Sequence, residues 1–298
     1  MTPMFTSAAT VEDAIGALDE GARPVAGGTD LVVGARQGKA PLPESIVAID
    51  RIDGLRDIER DGDSLVLGTL VTHEMLVEDA TVRDQLTALA DASAIVGSHA
   101  TRAQGTIGGN VMNASPAMDT GGPLLCLGAS VVLRSSSGAR TVGLDDFWTG
   151  PGKSVAEPGE LLTQVRVPLP AAGSGSCYVR LEYRRQMEIA VVGATALVTI
   201  DDGNVADARI AITALAPTIK RVAEAETALV GTDGGEAAIA AAAAAAAAGS
   251  SPISDVRGSA DYRTAMAEVI ARRAISGAIT RARGGSVDIP ASPALYGN

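Results

Sequence analysis

Residues 23–31, Arg-Pro-Val-Ala-Gly-Gly-Thr-Asp-Leu, set a glycine doublet between a short strand and a helix, and this junction constrains the fold more than any other stretch. Backbone without a Cβ can approach other groups closely, and the first N–H groups of a helix have no partner inside it. Such a turn can face an oxygen-rich anion. A tight structural turn needs the same residues. Neither G-x-G-x-x-G nor a P-loop occurs at the junction, so a Rossmann dinucleotide site or an ATP site of that kind is unsupported. Upstream, Thr10 and Asp13 have the spacing of a capping box, and Val11, Ala14, Ile15 and Leu18 recur at helical intervals, which predicts a helix over residues 11–20 closed by Gly21. Residues 31–37 read as helix and 45–50 as strand. Together they make a small α/β unit ending near residue 55.

Apolar alternation around Asp61-Gly62-Asp63 predicts a hairpin over residues 55–70, followed by helical patterns at 72–78 and 82–96. A polar segment, 97–109, then carries a second doublet within Gln104-Gly105-Thr106-Ile107-Gly108-Gly109-Asn110. Two such loops can face one diphosphate, because oriented amides bind phosphate without a lysine. Asn113-Ala114-Ser115-Pro116-Ala117-Met118-Asp119 leads into a helix over 118–127, with Ser115 suited to an N-cap and Pro116 to the first helical position. Strands at 130–134, 140–142 and 161–167 complete an α+β unit. The proline, glycine and serine of residues 168–176 mark a flexible connection. Beyond it, strands at 194–200 and 205–214 flank an Asp201-Asp202-Gly203-Asn204 turn, and helices are expected over 221–230, 236–248 and 261–283. The alanine run between Gly235 and Gly249 reads as a close-packed helix, since alanine has the highest helix propensity.

Composition excludes several functions. A net charge of −11 repels phosphate backbones and anionic lipid at long range, arguing against nucleic-acid binding. The longest apolar run, 237–248, is too short to span a bilayer, and residues 1–4 do not resemble an export signal, so a cytoplasmic protein is expected. Cys126 and Cys177 form no C-x-x-C pair, and His73 and His99 cannot make a His-rich site, so no metal site and no cluster are expected in this chain. With two Phe, four Tyr and one Trp, a planar cofactor would rest mainly on backbone and aliphatic groups.

The combination of Ala26-Gly27-Gly28-Thr29-Asp30-Leu31, Gly105-Thr106-Ile107-Gly108-Gly109-Asn110 and Ala114-Ser115-Pro116-Ala117-Met118-Asp119 resembles the FAD-binding medium subunit of molybdenum hydroxylases, the carbon monoxide dehydrogenase and xanthine dehydrogenase group. The late arginine pair Arg272-Arg273 resembles that family's C-terminal helix. The resemblance implies an α+β protein with a two-part FAD-binding fold of the PCMH type, followed by a C-terminal antiparallel sheet with a helix bundle. The implied units are 1–55, 56–175 and 176–298. It also implies FAD contacts from Ala26, Gly27, Gly28, Thr29, Asp30 and Leu31, from Thr106, Gly108, Gly109 and Asn110, from Val96 and Gly97 beside the cofactor, and from Ser115 and Asp119. Gly68-Thr69-Leu70-Val71-Thr72 resembles a further element near the ligand. Arg184-Arg185-Gln186-Met187-Glu188-Ile189-Ala190 resembles the segment near the flavin's exposed face, but offers Ile189 where some members carry an aromatic.

The resemblance implies an oxidoreductase subunit with no catalytic side chain of its own. FAD would receive electrons from a small iron–sulfur subunit, while a large molybdopterin subunit oxidises the substrate, the whole forming a dimer of heterotrimers. Arg184, Arg185, Arg272 and Arg273 are candidate subunit contacts, because guanidinium suits carboxylate pairing. The alternative is a self-contained FAD-dependent reductase resembling UDP-N-acetylenolpyruvoylglucosamine reductase; a binding module without flavin is a third reading.

Overall fold

The computed structural model describes residues 4–38 and 40–296. Residues 1–3, part of the stretch read for an export signal, lie outside them. The chain opens with β1 (Met4–Ser7), α1 (Val11–Asp19), β2 (Arg23–Val25), α2 (Thr29–Arg36) and β3 (Ser45–Ala48), which make a parallel sheet in the order β1-β3-β2. The capping box is present: the Thr10 hydroxyl accepts from the Asp13 N–H, and the Asp13 carboxylate accepts from the Thr10 N–H, both at 3.1 Å. Ala14, Ile15 and Leu18 of α1 are buried against the sheet, whereas α2 has no buried residue.

The second unit is β4 (Ile58–Asp61), β5 (Ser64–Gly68), α3 (His73–Glu78), α4 (Ala80–Gln85), α5 (Thr87–Ala94), α6 (His99–Arg102), α7 (Ile107–Asn113), α8 (Gly121–Cys126), β6 (Ser130–Ser135), β7 (Gly138–Gly143), the small ribbon β8 (Trp148–Gly150) and β9 (Lys153–Ser154), and β10 (Leu161–Pro168). Its five-stranded antiparallel sheet runs β4-β5-β10-β6-β7, so the last strand inserts at the centre. The helix expected over 82–96 is two helices, because the Asp79 carboxylate caps α4 and the chain turns again at Leu86. The polar segment 97–109 is largely helical. Ser115 does not cap a helix: its hydroxyl accepts from the Ala117 N–H, its carbonyl closes a turn with Met118, and α8 begins only at Gly121.

The third unit holds β11 (Ser174–Leu181), β12 (Val192–Asp201), β13 (Asn204–Thr213), β14 (Lys220–Arg221), α9 (Ala223–Leu229), α10 (Glu236–Ala248), α11 (Ala260–Ala282) and α12 (Ala291–Leu295). Its antiparallel sheet runs in sequence order, with α10 and α11 packed against it through small residues: Ala242, Ala243, Ala246, Ala271, Ala274 and Ala278 are fully buried. The proline-glycine-serine connection is shorter than its composition suggested, since residues 174–176 already belong to β11.

A buried ion pair ties the second unit to the third. Asp91 of α5, fully buried, receives the Arg281 guanidinium at 2.6 and 3.0 Å, and also the Tyr178 and Ala291 N–H groups at 3.1 and 3.0 Å. Breaking a buried pair by deleting one partner strands the other charge and costs about 3 to 5 kcal/mol. Asp91→Ala is therefore expected to lower unfolding stability by that amount, measured as a urea midpoint. A change under about 1 kcal/mol would show that the clamp contributes little.

Candidate functional site

The two glycine turns meet. A Cβ built on Gly27 would stand 1.8 Å from the Gln104 carbonyl oxygen, so backbone contacts backbone where a side chain would intervene. Gly105 lies beside Thr29 and His73 in the same way, a Cβ there reaching the Thr29 hydroxyl at 3.5 Å and the His73 ring at 3.4 Å. The second turn is in turn locked to the 68–72 element. Thr72 bridges Thr106, the Ile107 and Gly108 N–H groups donate to the Val71 and Thr69 carbonyls at 2.9 and 3.1 Å, and His73 N–H donates to the Gly105 carbonyl at 3.1 Å.

The doublets differ in what they leave open. At the first, Gly28 takes a left-handed conformation (φ 68°) as the N-cap of α2, which has no side-chain cap. The Gly28, Thr29 and Leu31 amides have no hydrogen-bond partner among the described residues. At the second, every amide from Ile107 to Asn110 is used: Gly109 N–H donates to the Thr106 hydroxyl at 3.1 Å and Asn110 N–H to the Thr106 carbonyl at 2.9 Å. Gly108 is buried, and a Cβ there would meet the Thr69 hydroxyl at 1.8 Å. Its missing side chain thus lets the turn seat on Thr69, while Gly109 is exposed. Ala26 is half-buried beside the first turn and Asp30 is exposed.

Val96 and Gly97 border the same region. The Val96 carbonyl accepts from Arg102, and the Gly97 carbonyl accepts from the Met187 N–H at 2.9 Å, which brings the 184–190 segment against them. Met187 and Ile189 stay exposed there. Ser115 is half-buried, and Thr120 donates its hydroxyl to the Asn110 side chain.

Asp119 faces the third unit. One carboxylate oxygen accepts from the Tyr178 hydroxyl at 2.7 Å and the other from Arg180 at 2.8 Å; Arg180, fully buried, also binds Glu182. Burial pushes the Asp119 carboxyl up against the opposing pull of the Arg180 charge. Burial, then the Asp119 charge, push the Tyr178 hydroxyl well above its usual range, so it stays protonated and donates.

His73 was missed in the sequence as a site residue, because nothing local marks it. Its ring is buried under the second turn and Nδ1 has no hydrogen-bond partner among the described residues. Burial, with help from the Arg102 charge, lowers its pKa to about 4. His99, by contrast, is exposed and lies 3.5 Å from Glu74. Of the four candidate contact arginines, Arg184 pairs with Glu188 and Arg272 with Glu236, leaving Arg185 and Arg273 without a carboxylate among the described residues. Both cysteines are buried and free, and no group of metal-ligating side chains is present among the described residues. Nor does any described helix have the length and apolarity to cross a membrane.

The two turns thus meet beside an uncapped helix N-terminus, ahead of an antiparallel sheet that carries the long helices α10 and α11, and comparison with known proteins gives the class. Residues 2–170 match the FAD-binding domain found in molybdopterin dehydrogenases, and residues 178–278 match the C-terminal domain of carbon monoxide dehydrogenase flavoproteins. The chain is 35% identical to the carbon monoxide dehydrogenase medium chain of Afipia carboxidovorans, over 89% of this chain and 92% of that protein. It is 30% identical to a putative xanthine dehydrogenase FAD-binding subunit of Escherichia coli, over 94% and 97% of the two chains. A carbon monoxide dehydrogenase structure from Hydrogenophaga pseudoflava, lacking the Mo-pyranopterin moiety, superposes with a TM-score of 0.90 at 33% identity, covering 94% of this chain and 98% of that one. The chain belongs to the FAD-binding flavoprotein subunits of the carbon monoxide dehydrogenase and xanthine dehydrogenase family, and is an oxidoreductase subunit.

Three outcomes are expected. Gly27→Ala forces the two turns apart, because a backbone carbonyl cannot yield as a flexible side chain would, and should weaken FAD binding at least tenfold, about 1.4 kcal/mol. Gly34→Ala, in α2 with nothing within 4 Å of its Cβ, should leave stability unchanged or raise it by up to about 1 kcal/mol. Equal FAD titrations for the wild type and Gly27→Ala would remove the close approach from the site. His73 in the unfolded chain takes up its proton near pH 6.5, but in the folded chain only near 4. Its contribution is therefore complete above 6.5 and falls as pH drops from 6.5 towards 4, by up to roughly 3 kcal/mol. Urea midpoints for wild type and His73→Leu should differ in pH dependence across that window; parallel profiles would contradict it.

Proposed function

We propose that the chain is the electron exit of a heterotrimeric molybdenum hydroxylase: it seats FAD at the paired glycine turns, accepts electrons from an iron–sulfur subunit and passes them to an external acceptor. The observation that carries this is the set of open amides at Gly28, Thr29 and Leu31, set against the Gln104-Gly105 backbone. These donors and the helix N-terminus suit a diphosphate, and the Thr29 hydroxyl adds a further donor. Thr106, Gly108, Gly109 and Asn110 act as the opposite wall, shaped by Thr69 and with amides already satisfied. Val96, Gly97, Met187 and Ile189 supply backbone and aliphatic surface beside it, as an aromatic-poor chain requires. Bound FAD supplies one- and two-electron redox chemistry. The protein binds it, orients it and limits access to it.

Asp119 holds the second and third units in register through Tyr178 and Arg180, and thereby sets the position of residues 115–119 beside Asn110 and Thr120. The same reading includes a large molybdopterin subunit and a small iron–sulfur subunit, a dimer of heterotrimers, and a cytoplasmic setting. It keeps the division into units 1–55, 56–175 and 176–298, supported by their three separate sheets, with β11 beginning two residues before the second boundary.

The test is anaerobic. A hydroxylase substrate mixed with the FAD-loaded chain alone should leave the flavin absorbance unchanged, whereas the same substrate with the reconstituted complex should bleach it. Bleaching by the chain alone would overturn the electron-exit reading and favour a self-contained reductase.

A further inference from the structure

Three polar groups converge on one point beside Gly105. The position that a Cβ on Gly105 would take lies 2.9 Å from the Thr101 carbonyl oxygen, 3.4 Å from Cδ2 of the His73 ring and 3.5 Å from the Thr29 hydroxyl. The Thr101 carbonyl is used, since it accepts from the Gly105 N–H at 2.6 Å. The other two are not: neither the Thr29 hydroxyl nor either ring nitrogen of His73 has a hydrogen-bond partner among the described residues. The two nitrogens differ in their surroundings. Nδ1 is enclosed, whereas Nε2, bonded to the Cδ2 that faces Gly105, keeps contact with solvent although the residue is only 2% exposed. That difference decides where the ring hydrogen sits. Burial, with the Arg102 charge, holds the ring neutral, so it has one N–H. An enclosed N–H without an acceptor loses its hydration uncompensated, and orphaned buried N–H groups are rarer than under-used acceptors. The hydrogen therefore belongs on Nε2, the nitrogen that can reach an acceptor.

A neutral N–H and a hydroxyl thus join the open amides of Gly28, Thr29 and Leu31 at the head of α2. All of them can donate, and uncharged oriented donors at a helix N-terminus suit an oxyanion. We propose that His73 is a binding residue for FAD: its Nε2–H donates to a diphosphate oxygen beside the Thr29 hydroxyl. The inference rests on the seating of FAD at the glycine turns proposed above. It adds a side-chain donor from the second unit to the amide donors of the first, so both units hold the same group. Packing alone does not explain a histidine here, because an apolar side chain would fill the space beneath Gly105 without leaving a nitrogen unpartnered.

The chain has two histidines, so ring-nitrogen NMR of the full chain carrying labelled histidine reads His73 directly, with His99→Gln to assign it. At neutral pH the His73 ring should hold its hydrogen on Nε2. Saturating FAD should shift the Nε2–H signal and slow its exchange with water, while riboflavin, which lacks the diphosphate, should do neither. Fluorescence titration gives a second readout. His73→Leu should weaken FAD binding at least tenfold, and His73→Gln, whose amide nitrogen extends to the Nε2 position, should stay within about threefold of the wild type. A hydrogen on Nδ1, an equal shift with riboflavin, or the same FAD affinity in both variants would overturn the proposal. A wild-type chain that binds no FAD overturns the seating of FAD itself, whereas one that binds FAD with the Nε2–H signal unmoved overturns only the role of His73.

Discussion

The absence of a side chain at Gly27 sets the geometry of the site. Because the Gln104 carbonyl occupies the space a Cβ would take, the first turn rests directly on the backbone of the second unit. The rest of the site is arranged around this contact. Thr69 takes the place of a side chain at Gly108, the 68–72 element pairs with 105–108, and His73 packs beneath Gly105 with one nitrogen unsatisfied. All of these use the amides of the second turn for the fold itself. Of the two glycine doublets, the first, where α2 starts without a side-chain cap, is the one flanked by amides without a partner among the described residues.

Charge buried away from water fixes the third unit in the same decisive way. Asp91 with Arg281, and Asp119 with Tyr178 and Arg180, each cross between units, and each is supplied with extra hydrogen bonds that offset the loss of hydration. Such pairs tolerate little displacement, so they hold the second and third units in one register. The alanine-rich packing of α10 and α11 serves the same end, since small side chains let helices and sheet lie close without large aromatic groups.

Much of this was legible in residue order. The Thr10 and Asp13 capping box, the Asp61-Gly62-Asp63 and Asp201-Asp202-Gly203-Asn204 turns, and the bounds of the alanine-rich helix follow from local physics and appear where expected. Ser115 misled because Ser-Pro also opens a simple turn, and the carbonyls near it are taken up by long-range partners such as the Ala214 N–H. The two doublets read alike, since glycine records only that a Cβ is excluded and not what excludes it: backbone at Gly27, a threonine at Gly108. Tertiary charge was hidden as well. Nothing beside Asp119 in sequence announces Arg180, and nothing beside His73 announces its burial.

Hydrogen exchange of the full chain, with and without added FAD, measures the central claim directly. If the first turn carries the open donors, the amides of Gly28, Thr29 and Leu31 should gain the largest protection on binding one FAD per chain, with the already bonded amides of 107–110 protected in both states. Stoichiometric FAD binding that leaves those three unprotected, or places the new protection on a different surface, would contradict the account.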